Sequence, residues 1–174
     1  VNIRLSPSQI AYTIDHAEDD VILFHADFIP LLEEVMLEVK RDARLIVMRD
    51  SADIELPQTT LKIEAIFDEL FINTDQYFSF PDFDENTRAT TFYTTGTTGN
   101  PKAVAYSHRQ LVLHTMGILA TFGPMSANNR FHNRDVYMPI TPMFHVHGWG
   151  FPYAATMLGL KQIYPNRYVP NRLA

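Results

Sequence analysis

Residues 6–48 read SPSQIAYTIDHAEDDVILFHADFIPLLEEVMLEVKRDARLIVM, and their patterning decides the fold class. Ser6-Pro7-Ser8-Gln9 is a capping box with proline at the first helical position. Ile10, Ile14 and Ala17 follow at helical spacing, and Asp19-Asp20 end the helix. The short apolar run Val21-Ile22-Leu23-Phe24 predicts a buried strand. Asp27 is then expected to cap a helix whose Phe28, Leu31, Leu32, Val35, Met36 and Val39 form one stripe. Leu45-Ile46-Val47-Met48 predicts a second buried strand. Helix and strand in alternation mean an α/β sheet with helices packed on it.

The same alternation continues outward. A helix is expected over Leu61 to Phe71, followed by an acidic, turn-rich connector over residues 73–87. Ala89 to Tyr93 reads as a strand, and a second short strand surrounds Val104 to Tyr106. Leu111 to Phe122 is apolar on nearly every side, as a helix buried under neighbours would be. Strands around Val136 to Met138 and Gln162 to Tyr164 bracket a helix from Trp149 to Leu158. No internal repeat or low-complexity tract is present.

Composition narrows the function classes. The 174 residues are 46 % hydrophobic and 20 % charged, an ordinary globular mix with chain enough to bury a real core. Fourteen Lys+Arg against twenty Asp+Glu leave a net charge of −6, so a nucleic-acid partner held by its phosphates is disfavoured. Cysteine is absent, which excludes disulfides, thiolate metal sites and a Cys nucleophile and suits a reducing cytoplasm. No apolar run approaches a membrane span, and the start lacks a basic-then-apolar export signal. The expected location is cytoplasmic. The chain opens on Val1 and stops just after Asn171, which reads as an N-cap with no helix after it. A fragment of a longer protein is therefore expected.

The sharpest chemical signal is Thr94-Thr95-Gly96-Thr97-Thr98-Gly99-Asn100-Pro101-Lys102. Two glycines let backbone N–H groups turn toward an anion, four hydroxyls add donors, and Lys102 adds a full positive charge. This is the inventory a polyphosphate needs. The spacing is Gly-x-x-Gly-x-x-Lys rather than that of a Walker A loop, and no Rossmann fingerprint is present. Thr and Gly are also common in hairpin turns, and Asn100-Pro101 is a turn dipeptide, so a plain hairpin stays open on composition alone.

With Tyr93 in front, that stretch resembles the phosphate-loop signature of the AMP-forming, acyl-activating enzymes, the superfamily of acyl-CoA synthetases, luciferases and peptide-synthetase adenylation domains. Pro142-Met143-Phe144-His145-Val146-His147-Gly148-Trp149 resembles the superfamily's next motif in its fatty acyl-CoA synthetase form. Tyr106-Ser107-His108-Arg109 and Tyr153-Ala154-Ala155-Thr156 also look like medium- to long-chain fatty acyl-CoA ligases, and weaker likeness runs upstream through Leu5-Ser6-Pro7 to Phe24. Ala103 departs from the family's usual Gly, and His147 stands where Asn is common. Asn128 to Asn133 looks like a small surface insertion.

The resemblance implies an α/β fold forming part of the sheet-plus-helices N-terminal domain of an adenylate-forming enzyme. Residues 1–174 would be a partial AMP-binding domain without the C-terminal domain. It implies a two-step ligase using ATP, Mg²⁺ and coenzyme A: fatty acid and ATP give acyl-adenylate and pyrophosphate, then coenzyme A displaces AMP. By position, Thr94 would help hold the magnesium, and Thr95, Gly96, Thr97, Thr98, Gly99 and Lys102 would embrace the β- and γ-phosphates. His145, Val146 and Trp149 would line the acyl-adenylate pocket, Trp149 near the tunnel mouth with Phe144 and Phe151 flanking it. The magnesium glutamate, the ribose aspartate and the adenylation lysine have no counterpart in the sequence, so this piece alone is expected to be inactive. A homodimer of the full-length parent is a further expectation.

Plainer readings stand beside these. His145 and His147 on one face of an extended segment could chelate a metal, although no third ligand stands at a defined spacing. His108 and His114 fit satisfied core histidines, Trp149 fits core packing, and the connector 73–87 fits a solvated loop. The alternatives to a fatty acyl-CoA ligase are another acyl- or aryl-CoA ligase of the superfamily and a non-catalytic phosphate- or acyl-binding module of the same fold.

Overall fold

The computed structural model describes residues 1–72, 74, 77–94, 99–126 and 130–165. Two compact units make up the chain: Val1–Asp82 with Thr95–Pro101, and Phe83–Thr94 with Lys102–Ala174.

In the first unit, α1 (Pro7–Ala17) begins at the expected capping box. Ser6 Oγ accepts from the Gln9 N–H at 3.3 Å while Gln9 Oε1 accepts from the Ser6 N–H at 3.3 Å. β1 (Val21–His25), β2 (Arg44–Met48) and β3 (Ile63–Ile66) form a parallel sheet in that order, with Val21 opposite Arg44 and Leu45 opposite Ile63. α2 (Ile29–Met36) makes the crossover between β1 and β2, as a parallel pair requires. Ile10 and Ile14 of α1, Ile29, Leu32 and Val35 of α2, and Phe24, Leu45 and Val47 of the sheet form the core.

Two expectations change here. Asp27 does not cap the second helix. The Asp27 N–H donates to His25 Nδ1 at 3.2 Å instead, starting a 3₁₀ turn over Ala26–Phe28, and α2 follows with Pro30 in its first turn. The expected helix over Leu61 to Phe71 is β3 followed by a 3₁₀ turn, Phe67–Phe71. Its apolar residues satisfy both a period of two and a helical period, and pairing with the free edge of β2 decides for the strand.

In the second unit, β4 (Arg88–Thr94) and β5 (Lys102–Ser107) form an antiparallel hairpin running from Arg88 opposite Ser107 to Thr94 opposite Lys102. α3 (His108–Phe122) starts three residues before the expected Leu111. Ser107 and Gln110 make a reciprocal capping box that extends it, with bonds of 3.2 and 2.9 Å. α3 packs on α5 (Phe151–Met157), and β6 (Val136–Tyr137) pairs in parallel with β7 (Lys161–Gln162). Only one stripe of α3 is buried, through Thr115 and Ile118. Val112, Leu113 and Met116 are exposed, contrary to a helix covered on nearly every side.

The far end of the connector is tied down within this unit. Glu85 accepts the Arg109 N–H at 2.8 Å and pairs with its guanidinium, and Phe83 packs on the His108 ring at 4.6 Å. Tyr77, Phe78 and Phe80 are exposed. Asn73, Asp75 and Gln76 of the connector, Asn128 and Asn129 of the expected insertion, and the terminal Asn171 lie outside the described residues. No helix among the described residues is long and apolar enough to cross a membrane.

Candidate functional site

The hairpin sets the first part of the site. Thr94 ends β4 and Lys102 begins β5, so antiparallel register puts them directly opposite each other. Both are exposed, and Thr94 Oγ1 donates to the Lys102 carbonyl at 3.4 Å, a long contact that leaves the hydroxyl lone pairs free. Gly99 has φ +93°, a conformation open to glycine, and nothing lies within 4 Å of where a Cβ would be. Thr95, Gly96, Thr97 and Thr98 lie outside the described residues.

A metal finds few ligands here. Among the described residues no group of three or more His, Cys, Asp or Glu could hold one. Mg²⁺ is usually bound through one or two carboxylates together with substrate phosphates. Thr94 offers a single neutral, exposed oxygen.

The second part of the site is a cavity of about 70 Å³ in the same unit. Phe92 and Tyr106 of the hairpin, Leu111 and His114 of α3, and Tyr153 of α5 line it together with Val146, His147, Trp149 and Gly150. The lining is mostly aromatic and apolar. Its volume matches about two water-sized groups, too little for a whole long acyl chain.

The segment at its edge has unusual backbone. From Val146 to Gly150 every φ is positive: +45°, +51°, +63°, +61° and +76°. α4 (Val146–Trp149) is therefore a single left-handed turn, closed by the Gly148 N–H on the His145 carbonyl at 2.8 Å. Glycine suits such angles, but Val146, His147 and Trp149 each cost about 1–2 kcal/mol there, or about 3–6 kcal/mol together. Strain of this size concentrates at functional sites. The turn also overturns two expectations. The segment is not extended, and the helix expected from Trp149 begins only at Phe151, after Gly150.

The candidate residues separate on this turn. His145 precedes it, exposed, with its ring stacked on Phe144 at 5.7 Å, and it does not line the cavity. Val146 and Trp149 do line it. The Trp149 ring is not core: the residue is 65 % exposed. Phe151 packs with Phe122 and Phe131 rather than beside the indole. His147, absent from the expected pocket set, points inward. Its Nε2 lies 2.8 Å from Thr90 Oγ1 on β4, its ring stands edge-on to Phe92 at 5.2 Å, and burial pushes its imidazole below the ordinary value. The sequence signal for it was the departure from Asn. His114 is exposed rather than a core histidine, and its Nε2 lies 3.4 Å from the Trp149 carbonyl.

The family model described as "AMP-binding enzyme" matches residues 1–174. The 3-methylmercaptopropionyl-CoA ligase of Ruegeria pomeroyi is 42 % identical over 173 residues, covering 95 % of this chain and 29 % of that protein. The long-chain-fatty-acid–CoA ligase of Thermus thermophilus is 41 % identical over 164 residues, covering 94 % of this chain and 27 % of that protein. The chain thus spans less than a third of the length of these curated relatives. A solved structure from Rhodopseudomonas palustris, described as a putative long-chain-fatty-acid CoA ligase, superposes with a TM-score of 0.75 at 19 % identity, covering 99 % of this chain and 39 % of that one. The chain accordingly has the α/β fold of the matching part of that structure.

Proposed function

The chain belongs to the AMP-binding enzyme family, and on that premise we propose that it is the nucleotide-side part of an ATP-dependent fatty-acid–CoA ligase. The observation that supports this most is the register of the hairpin, which sets the Thr94 hydroxyl opposite Lys102 at the two ends of the Gly/Thr loop. The aromatic cavity in the same unit supports an apolar acid as substrate. The relatives' names span a sulfur-containing acid and long-chain fatty acids, so the reading is of an acyl class rather than one acid.

The chemistry to be performed is a carboxylate attacking the α-phosphorus of ATP with loss of pyrophosphate. The coenzyme A thiol then attacks the acyl carbon and releases AMP. Both reactants of the first step are anions, and their repulsion is the barrier to reduce. Lys102 would supply a positive charge, and Thr95, Thr97, Thr98 and the loop amides would supply donors toward the phosphates. Bound Mg²⁺ would neutralise phosphate charge, with Thr94 giving one oxygen. Val146, Trp149 and Phe92 would hold the alkyl part of the acid. By itself the chain is proposed to be catalytically silent, since no residue in it is assigned to the ribose or to the adenylation lysine.

The test uses the full-length protein with Thr94→Val and Lys102→Ala. Each lost charge-assisted contact costs about 1.5–3 kcal/mol, so adenylate formation should slow about ten- to a hundred-fold. Thioester formation from supplied acyl-adenylate should be nearly unchanged, because pyrophosphate has already left. Single-turnover rates for the two half-reactions decide it, and equal losses in both refute the assignment.

A further inference from the structure

We infer that His147 is a positioning residue, whose hydrogen bond to Thr90 clamps the left-handed turn so that Val146 and Trp149 face the acid. This rests on reading the cavity as the acid's binding surface. The turn cannot be held by its own backbone preference, because three of its five positive-φ residues carry side chains that disfavour the conformation. Something outside it must fix it. Two side-chain contacts do so. From one side, His147 Nε2 meets Thr90 Oγ1 at 2.8 Å and the ring abuts Phe92. From the other, His114 Nε2 approaches the Trp149 carbonyl at 3.4 Å. The shorter contact is the stronger one. His147 sits between Val146 and Trp149, so a rotation of the turn about this anchor moves both cavity-lining side chains at once.

Thr90 makes the inference separable from ordinary binding. It anchors His147 from β4 but does not line the cavity, so changing it removes no contact with the acid. Thr90→Val keeps the side-chain shape and loses the hydroxyl, whereas Thr90→Ser keeps the hydroxyl. In the full-length protein, Thr90→Val should raise KM for the acid about three- to ten-fold, the worth of one net hydrogen bond. KM for ATP should stay at the wild-type value, hydrogen exchange at the Gly148 and Gly150 amides should quicken, and Thr90→Ser should restore all of these. His147→Phe, which keeps a ring against Phe92 without the nitrogen, should reproduce the Thr90→Val effect. A Thr90→Val enzyme with wild-type acid KM overturns the inference, as does a rise shared equally by ATP. Failure of the proposed function looks different: the wild type itself would then show no acid-dependent ATP–pyrophosphate exchange. In that case unchanged exchange at Gly148 and Gly150 in Thr90→Val would overturn the clamp as well, and quickened exchange would sustain it.

Discussion

Replacing Gly150 by alanine tests the turn most directly. The added Cβ would lie 2.6 Å from both Cδ2 and Nε2 of His114, and 3.4 Å from Ile118 Cδ1. Two separate costs follow. Alanine at φ +76° costs about 1–2 kcal/mol whatever surrounds it. The contact with His114 forces that ring off its rotamer and away from the Trp149 carbonyl, for about 0.5–1.5 kcal/mol more. Gly150→Ala should therefore lose about 1.5–3.5 kcal/mol in urea unfolding of the full-length protein. His114 is exposed and its 3.4 Å approach to the Trp149 carbonyl is weak beside the Thr90 contact, so His114→Ala alone should change little. The double variant should recover the second cost and keep the first, a coupling of about 0.5–1.5 kcal/mol. A Gly150→Ala protein as stable as the wild type, or a double variant that loses the full sum, would show that the turn is not left-handed against His114.

Two other perturbations have defined outcomes. Trp149→Ala should shift stability by no more than about 0.5–1 kcal/mol, because the residue is 65 % exposed; thermal unfolding checks this, and a collapsed melting point would return Trp149 to the core. Glu33 accepts from the Thr60 N–H at 2.8 Å, from Thr59 Oγ1 at 2.8 Å and from Thr60 Oγ1 at 3.0 Å, which holds its carboxyl below the usual range. A carboxyl whose folded pKa is depressed contributes stability above its unfolded pKa and loses it as pH falls through the folded one. The stability gap between wild type and Glu33→Gln should thus hold at neutral pH and narrow as pH falls below the ordinary value of 4.5, and a constant gap would refute the assignment.

Local signals were the legible ones. Ser6-x-x-Gln9 declared the start of α1 because a capping box is settled within four residues. Ser107-x-x-Gln110 carried the same information for α3, and the apolar run behind it drew the expected start to Leu111 instead. Residues 61–71 were not legible, since a strand and a helix both satisfy their periodicity and only the edge of β2 distinguishes them. The opposition of Thr94 and Lys102 is implicit in any hairpin that closes around the Gly/Thr loop. The inward turn of His147 is not implicit in anything local. It depends on a hydroxyl fifty-seven residues earlier in the chain, and no pattern in the PMFHVHGW stretch announces left-handed backbone at three non-glycine residues.

That backbone sets selection for stability against selection for activity at Val146 and Trp149. Glycine at 146 or 149 would relieve about 1 kcal/mol of conformational cost at each site while deleting a wall of the cavity, whereas glycine at 147 would also forfeit the hydrogen bond to Thr90. A library screened only for thermal tolerance should therefore gather glycines at 146 and 149, and one screened for turnover should purge them. Gly148 and Gly150 face no such conflict: the first would set a Cβ 3.3 Å from the Met143 sulfur, the second one against His114, so both screens should keep them. The turn thus marks, in five consecutive residues, which side chains the protein retains at a thermodynamic loss.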